Sequence, residues 1–110
     1  MIYKTYQGAR LDLAFYQGKA TIDYNIQVFT DSGADFDFSI YASLVFKVFY
    51  RQHGELIVTP TITTSSNVIL LDLTIAQSAA LQTREYWYEC YGVYANSEEE
   101  LISFGIFKGI

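Results

Sequence analysis

Apolar residues recur at every second position through most of this chain, which is the period of a strand and not of a helix. Leu11, Leu13 and Phe15 alternate with Asp12, Ala14 and Tyr16. Ile22, Tyr24, Ile26 and Val28 alternate with Thr21, Asp23, Asn25 and Gln27. Asp31 to Asp35 forms a turn around Gly33, after which Phe36 and Phe38 alternate with Asp37 and Ser39. Residues 40–51 read as one long strand, with Leu44, Phe46, Val48 and Tyr50 on one face and Val45, Lys47 and Phe49 on the other. Both faces are apolar enough to place this strand centrally or to put its second face under a partner.

The pattern continues past a turn at 52–55. A return strand begins at 56–59, Pro60 belongs at an edge or a strand end, and 63–67 reads as a polar loop. Strands follow at 68–73, 84–95 and 101–110, the last with Gly105 and Gly109 for a close backbone approach or a bulge. Within 84–95, Tyr86, Tyr88 and Cys90 share one face and Trp87, Glu89 and Tyr91 the other. Only 74–82 changes period. Thr74 with Gln77 has the form of a capping box, the alanines favour helix, and Ile75 and Leu81 can bury from a short one. The expected fold is all-β: an immunoglobulin-like two-sheet β-sandwich of about seven to eight strands with one short helix near 74–82. Residues 1–110 form a single domain with a short N-terminal arm (1–9), and a small barrel is the competing architecture.

Composition limits the function. Charged residues make up 17% of the chain, against about 25% in an average soluble domain, while aromatic residues also reach 17%. A surface low in charge and rich in aromatics suits contact with protein. The net charge is −5 and the seven cations are scattered singly, which argues against nucleic acid and against an anionic membrane. A lone cysteine excludes an intramolecular disulfide and a cysteine-based zinc site. The start of the chain lacks a signal-peptide pattern, so synthesis in a cytoplasm is expected.

Little in the sequence points to catalysis. His53, the only histidine, lies in a turn where a solvated side chain is expected. Cys90 sits mid-strand among aromatics, as a small core hydrophobe does. Tyr88 and Cys90 match the Tyr-x-Cys of an immunoglobulin strand F, but no partner cysteine exists. Asp31, Asp35 and Asp37 lack the spacing of a calcium loop. Glu98, Glu99 and Glu100 read as a solvated hairpin tip or as an acidic patch for a basic partner. No catalytic residue, metal site or cofactor is expected. Tyr16, Phe49, Trp87, Tyr91 and Tyr94 are the candidate interface residues, since aromatics bring large contact area at low entropic cost. They also suit sugar stacking.

The order of elements resembles a known family. It is carried by Leu11-Asp12-Leu13 with Gln17-Gly18, the Asp31-Ser32-Gly33 turn and a long central strand. Then come Val68 to Thr74, the Ala/Gln helix ending at Leu81, Tyr86-Trp87-Tyr88, and a closing strand with Phe104-Gly105. The pattern is similar to the immunoglobulin-like domains of phage baseplate upper proteins and related tail or capsid accessory modules. Gln17-Gly18-Lys19-Ala20 stands where that family has a charged Arg/Lys-Gly-Asp-Thr segment. The resemblance implies a phage virion structural protein (capsid-decorating, collar or tail/baseplate adaptor), located in the virion. Its partners would be other virion proteins in a symmetric homo- or hetero-oligomer, and no catalytic residue carries over. A carbohydrate- or receptor-binding module, with a glycan as partner, is the alternative.

Overall fold

The computed structural model describes residues 2–19 and 24–110. In chain order the strands are β1 (Ile2–Tyr6), β2 (Ala9–Arg10), β3 (Leu13–Phe15), β4 (Tyr24–Phe29), β5 (Ser43–Phe49), β6 (Leu56–Val58), β7 (Thr61–Ser65), β8 (Val68–Asp72), β9 (Glu85–Val93) and β10 (Glu99–Gly109). A single 3₁₀ turn covers Phe38–Ile40, and α1 spans Ile75–Ala80. The smaller sheet has the order β1-β4-β8-β7 and the larger β2-β10-β9-β5-β6, with β3 also pairing β10. Hairpins join β5 to β6, β7 to β8 and β9 to β10, while β2 and β3 run parallel to β10. This is the all-β, two-sheet sandwich expected from the alternation, with ten strands among the described residues where about seven to eight were expected.

Several local readings change. The N-terminal arm is strand β1, which pairs in parallel with β4 before the chain turns at Gln7-Gly8 and crosses to the larger sheet. Thr61–Ser65 is strand β7 and not part of a loop. Four of its five residues are exposed, so no alternation marks it. The segment after Phe36 coils into the 3₁₀ turn, whose first residues Asp37 caps by accepting from the Ser39 amide at 2.9 Å. The long strand therefore starts only at Ser43. The capping box of α1 is present and Leu81 buries as read, but Ile75 faces solvent and Ser78 buries within the helix. The irregularity in β10 falls between Leu101 and Ser103, not at a glycine. Thr21 to Asp23, the start of the expected second strand, lies outside the described residues.

Alternation then places the core. Tyr24, Ile26 and Val28 of β4 and Ile69 and Leu71 of β8 face Phe46 and Val48 of β5, Tyr88 and Cys90 of β9 and Phe107 of β10. Burying each such side chain contributes on the order of 1.5–3 kcal/mol. Rings organise the centre: Phe46 stacks on Tyr88 at 4.9 Å, and Phe15 on Phe107 at 4.7 Å. Tyr88 is fully buried, yet its hydroxyl is satisfied. It donates to the Leu11 carbonyl at 2.5 Å and therefore accepts from the Ser103 hydroxyl at 2.6 Å. That bond ties the N-terminal crossover to the middle of the sandwich, from a residue far away in sequence. Gly105 lets the same crossover approach, since a Cβ there would lie 2.6 Å from the Leu11 carbonyl oxygen.

Candidate functional site: the outer face of the larger sheet and its arginine groove

The register of the larger sheet fixes which side chains face away from the core. Tyr86, Tyr88 and Cys90 point inward, so Glu85, Trp87, Glu89, Tyr91 and Val93 of β9 point outward. Ile106 lies beside Trp87 and Phe104 beside Glu89, while Phe49, Lys47 and Val45 flank them from β5. The outer face thus carries Val45, Phe49, Trp87, Tyr91, Phe104 and Ile106 in adjoining positions. All are partly or wholly buried by their neighbours, yet none belongs to the core cluster. Apart from Trp87 each keeps part of its surface in solvent, so the face is half-covered and apolar, with Lys47 and Glu89 across its middle.

Polar groups on this face are locked together. The Trp87 indole N–H donates to Glu89 Oε2 at 2.9 Å, and the Tyr91 hydroxyl donates to Glu89 Oε1 at 2.6 Å. These three residues stand at alternate positions of one strand, so a single carboxylate bridges both neighbours. Burial, followed by that bond to Glu89, pushes the Tyr91 phenol up to about 12. Lys47 sits 5.1 Å from the Tyr91 ring centre and 3.4 Å from Glu99.

The same face hollows into a groove of about 610 Å³ at the end where β9 begins. Trp87 and Ile106 line it together with Glu85, Tyr86, Gln52 and the chain's three arginines, Arg10, Arg51 and Arg84. The cations are scattered in sequence, but the strand order β2-β10-β9-β5 gathers these three, a clustering that the sequence reading excluded. Each is held differently. The Arg10 guanidinium lies 5.7 Å from the Trp87 ring centre and pairs with Asp12 at 3.1 Å. Asp12 also accepts from the Ile106 amide, which with Arg10 holds its carboxyl below the ordinary range. Arg84 lies in the corner of two nearly perpendicular rings, 3.8 Å from the Tyr50 ring centre and 5.1 Å from that of Tyr86. It donates to the carbonyls of Glu85 and Tyr50 at 3.0 and 3.1 Å, which leaves three of its five N–H groups for a ligand. Arg51 is exposed in the β5–β6 turn, and its side chain makes no hydrogen bond to the described residues. A fork-shaped donor on an aromatic wall is suited to carboxylate.

The five candidate interface residues do not form one patch. Phe49 and Tyr91 lie on the outer face. Trp87 lies there too but is only 7% exposed, with Arg10 over its ring and Phe104 beside it at 5.9 Å, so no open indole face is offered to a sugar. Tyr16 is exposed in the turn after β3, away from the face. Tyr94 turns the other way and packs against the core, where its hydroxyl and that of Tyr41 each donate to Glu100 at 2.7 Å. These two phenols hold the Glu100 carboxyl below its ordinary range. Glu100 is thus structural, while Glu98 and Glu99 remain exposed at the tip.

The other candidates show no catalytic arrangement. Cys90 is fully buried, and burial pushes its thiol up to about 12. His53 is exposed in the β5–β6 turn with a φ of 60°. Asp35 accepts from the Asn67 side chain at 3.3 Å and Asp37 caps the 3₁₀ turn. Among the described residues, no three of His, Cys, Asp and Glu gather as a metal site. No helix of the described residues is long and apolar enough to cross a membrane. The chain matches no protein-family model and no curated protein.

Proposed function

We propose that this protein is a non-catalytic assembly module of a phage virion (a capsid-decorating, collar or tail/baseplate adaptor) that docks on other subunits through the outer face of its larger sheet. One observation carries the docking role: adjoining apolar side chains cover that face, yet none joins the molecule's own core. Facing sheets pack about 10 Å apart, with side chains interdigitating, and a second sheet or a flat protein surface completes such a layer. The virion setting is drawn from the resemblance of the element order to phage baseplate upper-protein domains. Repetition by symmetry turns a modest contact into a stable assembly.

Sedimentation velocity tests the reading on the wild type and on Ile106→Glu and Val45→Glu, which place a charge on either side of the Lys47–Glu89 row of the face. The wild type is expected to gain mass with concentration, and both variants to remain folded by circular dichroism and monomeric. Identical monomers for all three chains up to about 1 mM, the weak end of specific binding, overturn it.

A further inference from the structure

We infer that the arginine groove receives the acidic β9–β10 turn of a second copy of this chain, so that two molecules pack their larger sheets face to face with strands antiparallel. The inference rests on the docking reading above and adds the partner and its orientation.

Charge is divided along the outer face. Arg10, Arg51, Arg84 and Lys108 gather at one end, where they outnumber the carboxylates of Glu85 and of Asp12, the latter paired with Arg10. Glu99 faces outward at the other end, where β9 turns into β10, paired there with Lys47 of β5; exposed Glu98 stands beside it in the turn, and Glu89 lies between the ends. The chain as a whole is acidic, so an end holding every arginine is the exception within it. Two parallel faces would set arginine against arginine, whereas antiparallel faces bring opposite charges together.

The strand order makes the fit specific. A two-fold axis lying between the faces and perpendicular to the strands reverses strand direction and keeps each strand over its own counterpart. It sets the Glu98 turn of one copy over the far ends of β9 and β10 in the other. At that place Trp87 and Ile106 floor the groove, with Arg10 on the β2 side and Arg51 on the β5 side. Arg84, stacked on Tyr50, presents a fork that is already ordered and can take a carboxylate in bidentate fashion. The contact is isologous and occurs twice per pair. The long strands β10, β9 and β5, three widths of about 4.8 Å over nine residues of β9 at about 3.3 Å rise, give a face of roughly 430 Å². A pair then buries roughly 860 Å², the size of a weak, transient contact.

Charge exchange between Arg51→Glu and Glu98→Arg tests this. Both positions are exposed, and neither side chain makes a hydrogen bond to the described residues, so folding is preserved. In sedimentation velocity at low salt each variant alone is expected to lose at least tenfold in self-affinity. An equimolar mixture, and the double variant, regain it, because every pair across the contact is again opposite in sign. Val45→Glu, outside the groove lining, serves as the face control. A wild type that associates, is blocked by Val45→Glu and is indifferent to both charge variants overturns this inference and leaves the docking face standing. So does a mixture that fails to recover. A wild type that stays monomeric overturns both readings, including when an added acidic peptide binds in an Arg51-dependent way.

Discussion

Replacing Tyr88 by phenylalanine removes one oxygen from the centre of the sandwich and leaves the ring stack on Phe46 intact. That oxygen donates to the Leu11 carbonyl and accepts from Ser103, and both tyrosine and serine are fully buried. Each intact bond is worth about 1 kcal/mol net, and a partner left buried and unsatisfied costs about 1–3 kcal/mol. We expect a loss of about 2–4 kcal/mol, a large part of the roughly 5–15 kcal/mol that holds a domain together. The melting temperature should fall by about 10 °C or more. Urea unfolding followed by the fluorescence of Trp87, the only tryptophan, measures it. Adding Ser103→Ala removes the orphaned hydroxyl, so the double variant should cost less than the sum of the singles by about 1 kcal/mol. A loss below about 0.5 kcal/mol for Tyr88→Phe, with an unchanged denaturant slope, would refute the view that this hydroxyl pins the N-terminal crossover.

Three further outcomes follow from the geometry. Glu100 has a folded pKa held below its unfolded value by two phenol donors, so its stabilisation is present above about pH 4.5 and is lost as pH falls through the lowered folded value. Glu100→Gln should flatten the acid side of a stability-versus-pH curve measured by urea titration. Gly92→Ala puts a Cβ 2.5 Å from the Tyr41 ring, which Glu100 anchors, and should cost about 1–3 kcal/mol by thermal denaturation. Thr74→Ala removes the capping box of α1 and should cost about 1 kcal/mol in the same assay.

The legibility of the fold tracks how one-sided each strand is. In β9 alternate residues are buried on one face, so period two showed which side of Tyr88 is core before any coordinates. β7 offers only Ile62 to the core and is otherwise exposed and held by its ladder to β8, and one apolar residue leaves no period in hydropathy. β1 was missed because its partner β4 lies parallel and is reached only across the β2–β3 crossover. The groove was the least legible feature. Arg10, Arg51 and Arg84 are far apart in the chain, and only the strand order brings them together. A local signal did exist: Arg51 follows Tyr50 and Arg84 stands two before Tyr86, at the ends of strands that became neighbours. The candidate aromatics were recognisable by type, but Tyr94 has the parity of Tyr86, Tyr88 and Cys90, so the same alternation turns it inward, onto Tyr41 at 5.1 Å, and not to the outer face.

The central claim is that the outer face of the larger sheet is the surface this protein uses. A dilution series of ¹H–¹⁵N correlation spectra on the labelled wild type asks this residue by residue. Signals of Val45, Phe49, Tyr91, Phe104 and Ile106 should shift and broaden together as concentration rises, while those of Thr61–Ser65 stay fixed. Changes confined to the smaller sheet or to the exposed edge residues Leu56 and Ile57, or spectra that do not change at all, would contradict it.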